Sequence, residues 1–133
     1  MRGSDVQIGI AVGLALVIST AVFAGDSPHA YADAKAIWEQ SKDTAAYQSY
    51  ATKFSQFNNH FHLDEKDGCY RLAPGPVDLM LVITHPDNGE FAVIEQVLSD
   101  VDNAKARCFR KSYGGIRTKV PPFFPFVLQM TMG

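Results

Sequence analysis

Residues 75–132 read GPVDLMLVITHPDNGEFAVIEQVLSDVDNAKARCFRKSYGGIRTKVPPFFPFVLQMTM. Apolar side chains alternate along residues 77–84, which is typical of a strand that turns one face toward a core. The pair Asn88-Gly89 lies between two apolar runs, and this setting predicts a β-hairpin. The returning strand is predicted over residues 91–98.

A helix and a last strand are predicted after the hairpin. Asp100 or Asp102 offers an N-cap, and the helix continues to the Gly114-Gly115 pair that ends it. The prolines that follow exclude another helix, and alternation from Phe126 predicts a strand. The order strand, strand, helix, strand predicts an α+β domain with one helix packed on a three-stranded antiparallel sheet.

Residues 33–58 contain neither glycine nor proline and predict a helical segment. Tyr47, Tyr50 and Phe54 recur at three- and four-residue steps, so they share one helix face. The polar pair Asp43-Thr44 predicts a break into two helices. A polar loop follows, and residues 69–72 predict a short strand.

The beginning of the chain predicts export. Residues 8–23 form an uncharged run behind Arg2, and small-residue cleavage sites end at Ala24 and at Ala32. The second site has the better A-x-A form, so we predict a signal peptide over residues 1–32, a helical segment and loop over 33–68, and a domain over 69–133. The protein is then periplasmic or secreted. The alternative is an uncleaved inner-membrane anchor facing the periplasm, since the run is near the lower limit of about 20 residues for a span.

The sequence has two cysteines, Cys69 and Cys108. An even number of cysteines in an exported chain predicts a disulfide. A metal-thiolate pair and a reactive thiol are the alternatives, but the two residues lack C-x-x-C spacing. Closing a loop of about 40 residues stabilises a fold by roughly 4 kcal/mol in the chain-entropy model.

Basic residues are concentrated near the end of the chain. Residues 103–133 hold six bases and no acid. Export argues against nucleic acid as a partner, so a basic strip would face anionic lipid, lipopolysaccharide or an acidic protein. A solvated helix face is the other interpretation.

Several of these features together resemble the TonB C-terminal domain and the TonB-like domains of gliding-motility proteins. They are Gly75-x-Val77 before an alternating strand, the Asn-Gly turn, a helix with Ala104 and Ala106, a Pro-Pro pair and a final strand. In the gliding-motility proteins a cysteine often lies in the helix, as Cys108 does here. The resemblance covers residues 69–132.

The resemblance implies a periplasmic ββαβ domain that binds a protein partner and is not an enzyme. In TonB a receptor segment adds as a strand to an exposed sheet edge, and the last strand corresponds to that edge here. The long Pro-rich spacer of TonB is absent, so energy transduction to outer-membrane receptors is not expected. An exposed edge also permits homodimerisation. The expected contact residues are Lys105, Arg110, Lys111, Phe126, Leu128 and Met130.

His60 and His62 are the residues most suited to bind a metal. Side chains two positions apart in an extended segment lie on the same side, with Asp64 or Glu65 as a third ligand for copper or zinc. A small metal-binding protein is therefore an alternative function, although both histidines also fit a solvated loop.

The sequence contains no catalytic motif that we recognise. It lacks G-x-S-x-G, and Glu90 and Glu95 are spaced to lie on opposite faces of a strand. No cofactor is expected. An exported enzyme with a dispersed site is the third alternative.

Overall fold

The computed structural model describes residues 27–59, 68–86 and 89–133. Within these ranges the chain is α+β, as predicted, but its antiparallel sheet has four strands where three were expected. The helices and strands are α1 (Tyr31–Ser41), α2 (Ala45–Asn59), β1 (Val77–Thr84), β2 (Phe91–Ser99), α3 (Ala104–Tyr113), β3 (Arg117–Lys119) and β4 (Phe126–Met132).

The sheet has the strand order β3-β2-β1-β4. β1 and β2 form the predicted hairpin, in which Leu81 is opposite Val97. β4 pairs with the other side of β1, where Leu128 is opposite Leu81. The consecutive strands β3 and β4 therefore lie at opposite edges, and residues 120–125 connect them across one end of the sheet.

β3 is the strand that the sequence prediction missed. It is three residues long, and it pairs with the start of β2 through Thr118 opposite Ala92. Alternation cannot be recognised over so short and polar a segment. The short strand predicted over residues 69–72 was also wrong, because the chain makes a helical turn there and the Leu72 amide donates to the Cys69 carbonyl.

Helices cover both faces of the sheet, whereas the sequence predicted a single helix on one face. α1 packs against Met80, Val82 and Val127 on one face. α2 and α3 pack on the other face, where Leu79, Leu81 and the rings of both helices form the larger core. β1 is consequently buried on both faces, and its apolar residues are not confined to the alternate positions of a half-exposed strand.

The break between α1 and α2 is confirmed. α1 ends at Ser41, and α2 begins after Thr44, whose Oγ1 accepts a hydrogen bond from the Tyr47 amide at 3.1 Å. A threonine hydroxyl in this position satisfies an amide that the first turn of a helix leaves without an intrahelical partner.

The N-cap of α3 is Asn103, not the predicted Asp100 or Asp102. The Asn103 side chain accepts from the Ala106 amide at 2.8 Å. The two aspartates are engaged elsewhere: Asp100 accepts from the Asp78 amide, and Asp102 pairs with Arg107 at 3.1 Å.

The predicted disulfide is confirmed. Cys69 and Cys108 are bonded, with their Cα atoms 5.5 Å apart. The bond joins the helical turn that precedes β1 to the middle of α3, and Cys69 is buried in the larger core. It therefore fixes α3 to the chain segment that enters the central strand.

Across residues 27–59, 68–86 and 89–133 there is no helix of the length and apolar character that crossing a membrane requires. Residues 1–26 lie outside the described part, and the signal peptide and the anchor predicted there remain predictions.

Candidate functional site

Two of the four basic residues of α3, Lys105 and Arg110, are used inside the fold. Lys105 is only 3% exposed; its Nζ donates to the Gly75 carbonyl at 2.6 Å and lies over the Tyr70 ring. Arg110 donates to the Ser99 hydroxyl at 2.9 Å. Lys111 is exposed. Lys105 therefore cannot contact a partner in the way the sequence suggested, and it is a structural residue.

We expect Lys105→Met to lower the free energy of unfolding by about 1–3 kcal/mol, because the Gly75 carbonyl loses its donor. Lys111→Met on the same helix is the matched control and should change it by less than about 0.5 kcal/mol. Urea unfolding of both variants measures the difference. Equal stabilities would show that the ammonium contributes nothing to the fold.

The β4 edge, predicted as the docking edge, is partly covered. The side chains of Phe126 and Leu128 are buried and Met130 is half-buried, so two of the three predicted contact side chains of β4 are closed to a partner. The main-chain amide of Gln129 donates a hydrogen bond to the Tyr47 hydroxyl at 3.2 Å. Strand addition at β4 stays a prediction, and it would require displacing this hydroxyl.

The opposite edge is formed by β3 and lies beside α2. Tyr50 of α2 donates its hydroxyl to the Lys119 carbonyl at 2.7 Å and lies 3.2 Å from the Thr118 hydroxyl. Burial raises the pKa of Tyr50, so the phenol stays protonated and able to donate. These hydrogen bonds hold α2 at a fixed distance from β3.

A groove of about 370 Å³ runs between α2 and residues 118–122, and we call it the α2–β3 groove. The α2 side chains that line it recur at three- and four-residue spacing, so they occupy one face of the helix. Each wall carries one lysine. The α2 wall is formed by Ala46, Ser49, Tyr50, Lys53 and Phe54, and the opposite wall by Thr118, Lys119, Val120 and Pro122.

Three large apolar side chains are exposed at the same end of the sheet, and we call them the exposed apolar cluster: Phe91, Val120 and Phe124. Phe91 is opposite Lys119 in the sheet, and Val120 also lines the groove. The Phe124 ring stacks on His85 at 6.1 Å. Val120 is therefore common to the cluster and the groove.

His60 and His62 lie outside the described residues, so the metal site they would form stays a prediction. In the part of the chain that the structure describes, no group of three or more His, Cys, Asp and Glu side chains is arranged to hold a metal ion.

No family model, curated protein or solved structure matches this chain. The kinship with TonB-like domains therefore stays a prediction from the sequence pattern.

Proposed function

We propose that this chain is an exported, non-enzymatic protein-interaction domain whose fold is held by the Cys69–Cys108 disulfide. The observation that carries the proposal is the exposed apolar cluster of Phe91, Val120 and Phe124. Large apolar side chains grouped on a surface are typical of sites that a partner covers. Here Phe91 is paired with the edge strand β3 and Val120 directly follows that strand, a setting that suits a protein ligand.

Export is supported by the disulfide, because such bonds persist in oxidising compartments such as the periplasm. The uncharged run over residues 8–23 supports the same conclusion. The order hairpin, helix, strand over residues 69–132 supports a TonB-like interaction domain, with β3 as an addition to that pattern.

We expect signal-peptide cleavage after Ala24 and not after Ala32. Ala32 lies within α1, and residues upstream of it are part of the fold. The Pro28 carbonyl accepts from the Gln96 side chain, and the Tyr31 hydroxyl donates to the Asp78 carboxylate. Cleavage after Ala32 removes both contacts. The intact mass of the exported protein should correspond to a chain that begins at Gly25; a chain that begins at Asp33 would contradict this.

Site-specific photo-crosslinking tests the interaction function. A photoreactive phenylalanine analogue replaces Phe124 in cells that produce the protein, and the control places it at Lys35, an exposed position on α1. We expect protein adducts of discrete mass from position 124 and none from position 35. An excess of purified, unmodified domain should suppress them. The absence of adducts at both positions, or equal adducts at both, would refute the proposal.

A further inference from the structure

We infer that the part of the sheet beside α1 binds an amphipathic helix of a partner protein, with acidic residues four positions apart on that helix. The inference rests on the interaction function proposed above and names the chemistry of the partner. Three features of the described residues support it: a strip of sheet that no helix covers, two cations beside an exposed ring, and a strand edge that is unsuited to strand addition.

α1 covers only one side of its face of the sheet. The cluster beneath it contains Met80 and Val82 of β1 and Val127 of β4, and Leu98 of β2 packs against that cluster, which includes no residue of β3. Neighbouring strands lie about 4.8 Å apart, so four strands are wider than one helix of about 10 Å diameter. The other face of the same sheet carries two helices. On the α1 face, the described helices therefore leave β3 and the start of β2 uncovered.

The register between β2 and β3 determines which side chains form this uncovered strip. Phe91 is opposite Lys119, and Val93 is opposite Arg117. Thr118, between the two bases, is buried on the α2 side. Because alternate residues of a strand point to opposite faces, Arg117 and Lys119 lie on the α1 face together with Phe91 and Val93. We call these four residues the β2–β3 strip.

The β2–β3 strip combines an apolar surface with positive charge. Phe91 is 41% exposed, and the Arg117 guanidinium lies 5.1 Å from the centre of its ring. Arg117 and Lys119 are both exposed, and no ion pair between described residues includes either of them. Glu90 lies just before β2 and Glu95 lies beyond the residues that pair with β3, so neither acid is opposite a base of the strip. Acidic side chains of a partner would supply the counter-charge.

The spacing of the two bases matches that of residues on a helix. Arg117 and Lys119 are two positions apart on a strand, which corresponds to about 6.6 Å at about 3.3 Å per residue. Residues four apart on a helix are separated by a rise of about 6 Å, and they lie on the same face. A helix that runs along β3 can therefore place one carboxylate near each base. The apolar side chains of such a helix would cover Phe91 and Val93.

The edge of β3 is unsuited to strand addition, which is the other common way for a sheet to bind a peptide. β3 is only three residues long, and the Tyr50 hydroxyl already donates to the Lys119 carbonyl at 2.7 Å. A short edge strand that carries a lysine also discourages pairing between sheets. A partner is therefore expected on the face of the strand and not at its edge.

Two other occupants match the strip less well than an acidic helix. A second copy related by a two-fold axis would bring Arg117 and Lys119 close to the same two residues of the other copy, and like-charge repulsion opposes this. Binding to anionic lipid headgroups relies on clusters of about four to eight basic residues. The strip offers a pair of bases with an aromatic ring between two strands, which suits a ligand with a few placed carboxylates.

Selection from a phage library that displays one helix with a randomised face tests the inference with the disulfide-bonded protein. We expect the selected helices to carry Asp or Glu at positions four apart, next to apolar residues. Arg117→Gln/Lys119→Gln should weaken binding of a selected helix about tenfold, because two surface ion pairs near the upper end of their usual range account for that factor. The control Lys53→Gln/Lys111→Gln makes the same change in net charge at exposed lysines of α2 and α3, the helices of the other face, and should change binding less than about twofold.

Other outcomes would overturn the inference. The selected helices could lack acids, or both double variants could weaken binding equally, which would indicate a general effect of charge. Alternatively, sedimentation with phosphatidylglycerol vesicles or self-association could depend on Arg117 and Lys119 while no helix is selected. Photo-crosslinking from position 124 separates this inference from the proposed function. Unchanged adducts in the Arg117→Gln/Lys119→Gln variant refute the helix site alone, and the absence of adducts in the unsubstituted background refutes both.

Discussion

Reduction of the Cys69–Cys108 bond should lower the free energy of unfolding by about 4 kcal/mol, the chain-entropy value for the 39-residue separation of the two cysteines. The disulfide restricts the conformations of the unfolded chain, and reduction of the disulfide removes that restriction. A domain of this size has a stability of about 5–15 kcal/mol, so the loss is a large part of the total. Urea unfolding measures this difference in the free energy of unfolding when it is carried out with and without a reductant that leaves other side chains unchanged.

A second variant distinguishes the bond from the packing of the cysteines. Cys69 is buried, so its replacement also changes contacts in the core. Cys69→Ala/Cys108→Ala should unfold at a lower urea concentration than the oxidised protein, and reductant should have no further effect on it. A loss below about 1 kcal/mol on reduction would mean that contacts across the helical turn, such as the edge-on packing of Tyr70 and Phe109, hold α3 without the bond.

Local sequence patterns predicted the parts of the fold that local rules govern. The apolar run of β1 and the Asn-Gly pair predicted the hairpin, and the polar pair ending at Thr44 predicted the helix break. β3 could not be predicted, because its pairing depends on Ala92 and Thr118, which are far apart in sequence. The cap of α3 is Asn103, one residue after the predicted Asp102, and the Asp102 carboxylate pairs with Arg107 instead.

The candidate site was harder to predict than the fold. The walls of the α2–β3 groove come from residues 46–54 and 118–122, and no spacing rule connects two segments so distant in sequence. From the sequence Lys105 would be taken for an ordinary exposed lysine, because only the tertiary fold brings the Gly75 carbonyl to its ammonium group.

Two neighbouring phenylalanines give the other large expected effect. Phe126 is 0% exposed, whereas Phe124 is 45% exposed. The Phe126 ring lies 5.5 Å from that of Tyr47 and 4.7 Å from that of Tyr50. Phe126→Ala should therefore lower the free energy of unfolding by about 3–5 kcal/mol, since it leaves a cavity among these rings. Phe124→Ala is the matched control, with an expected loss below about 1 kcal/mol.

The same pair separates folding from binding. Phe126 packs against Tyr50, whose hydroxyl holds α2 to β3, so Phe126→Ala should also loosen the contact between α2 and β3. Phe124→Ala should keep the fold and lose the partner contact made by the exposed apolar cluster. Urea unfolding and competition with the wild-type domain for its cross-linked partner measure the two effects. If Phe124→Ala destabilised the protein as much as Phe126→Ala, the Phe124 ring would be a part of the core, and the interaction surface proposed for this end of the sheet would be lost.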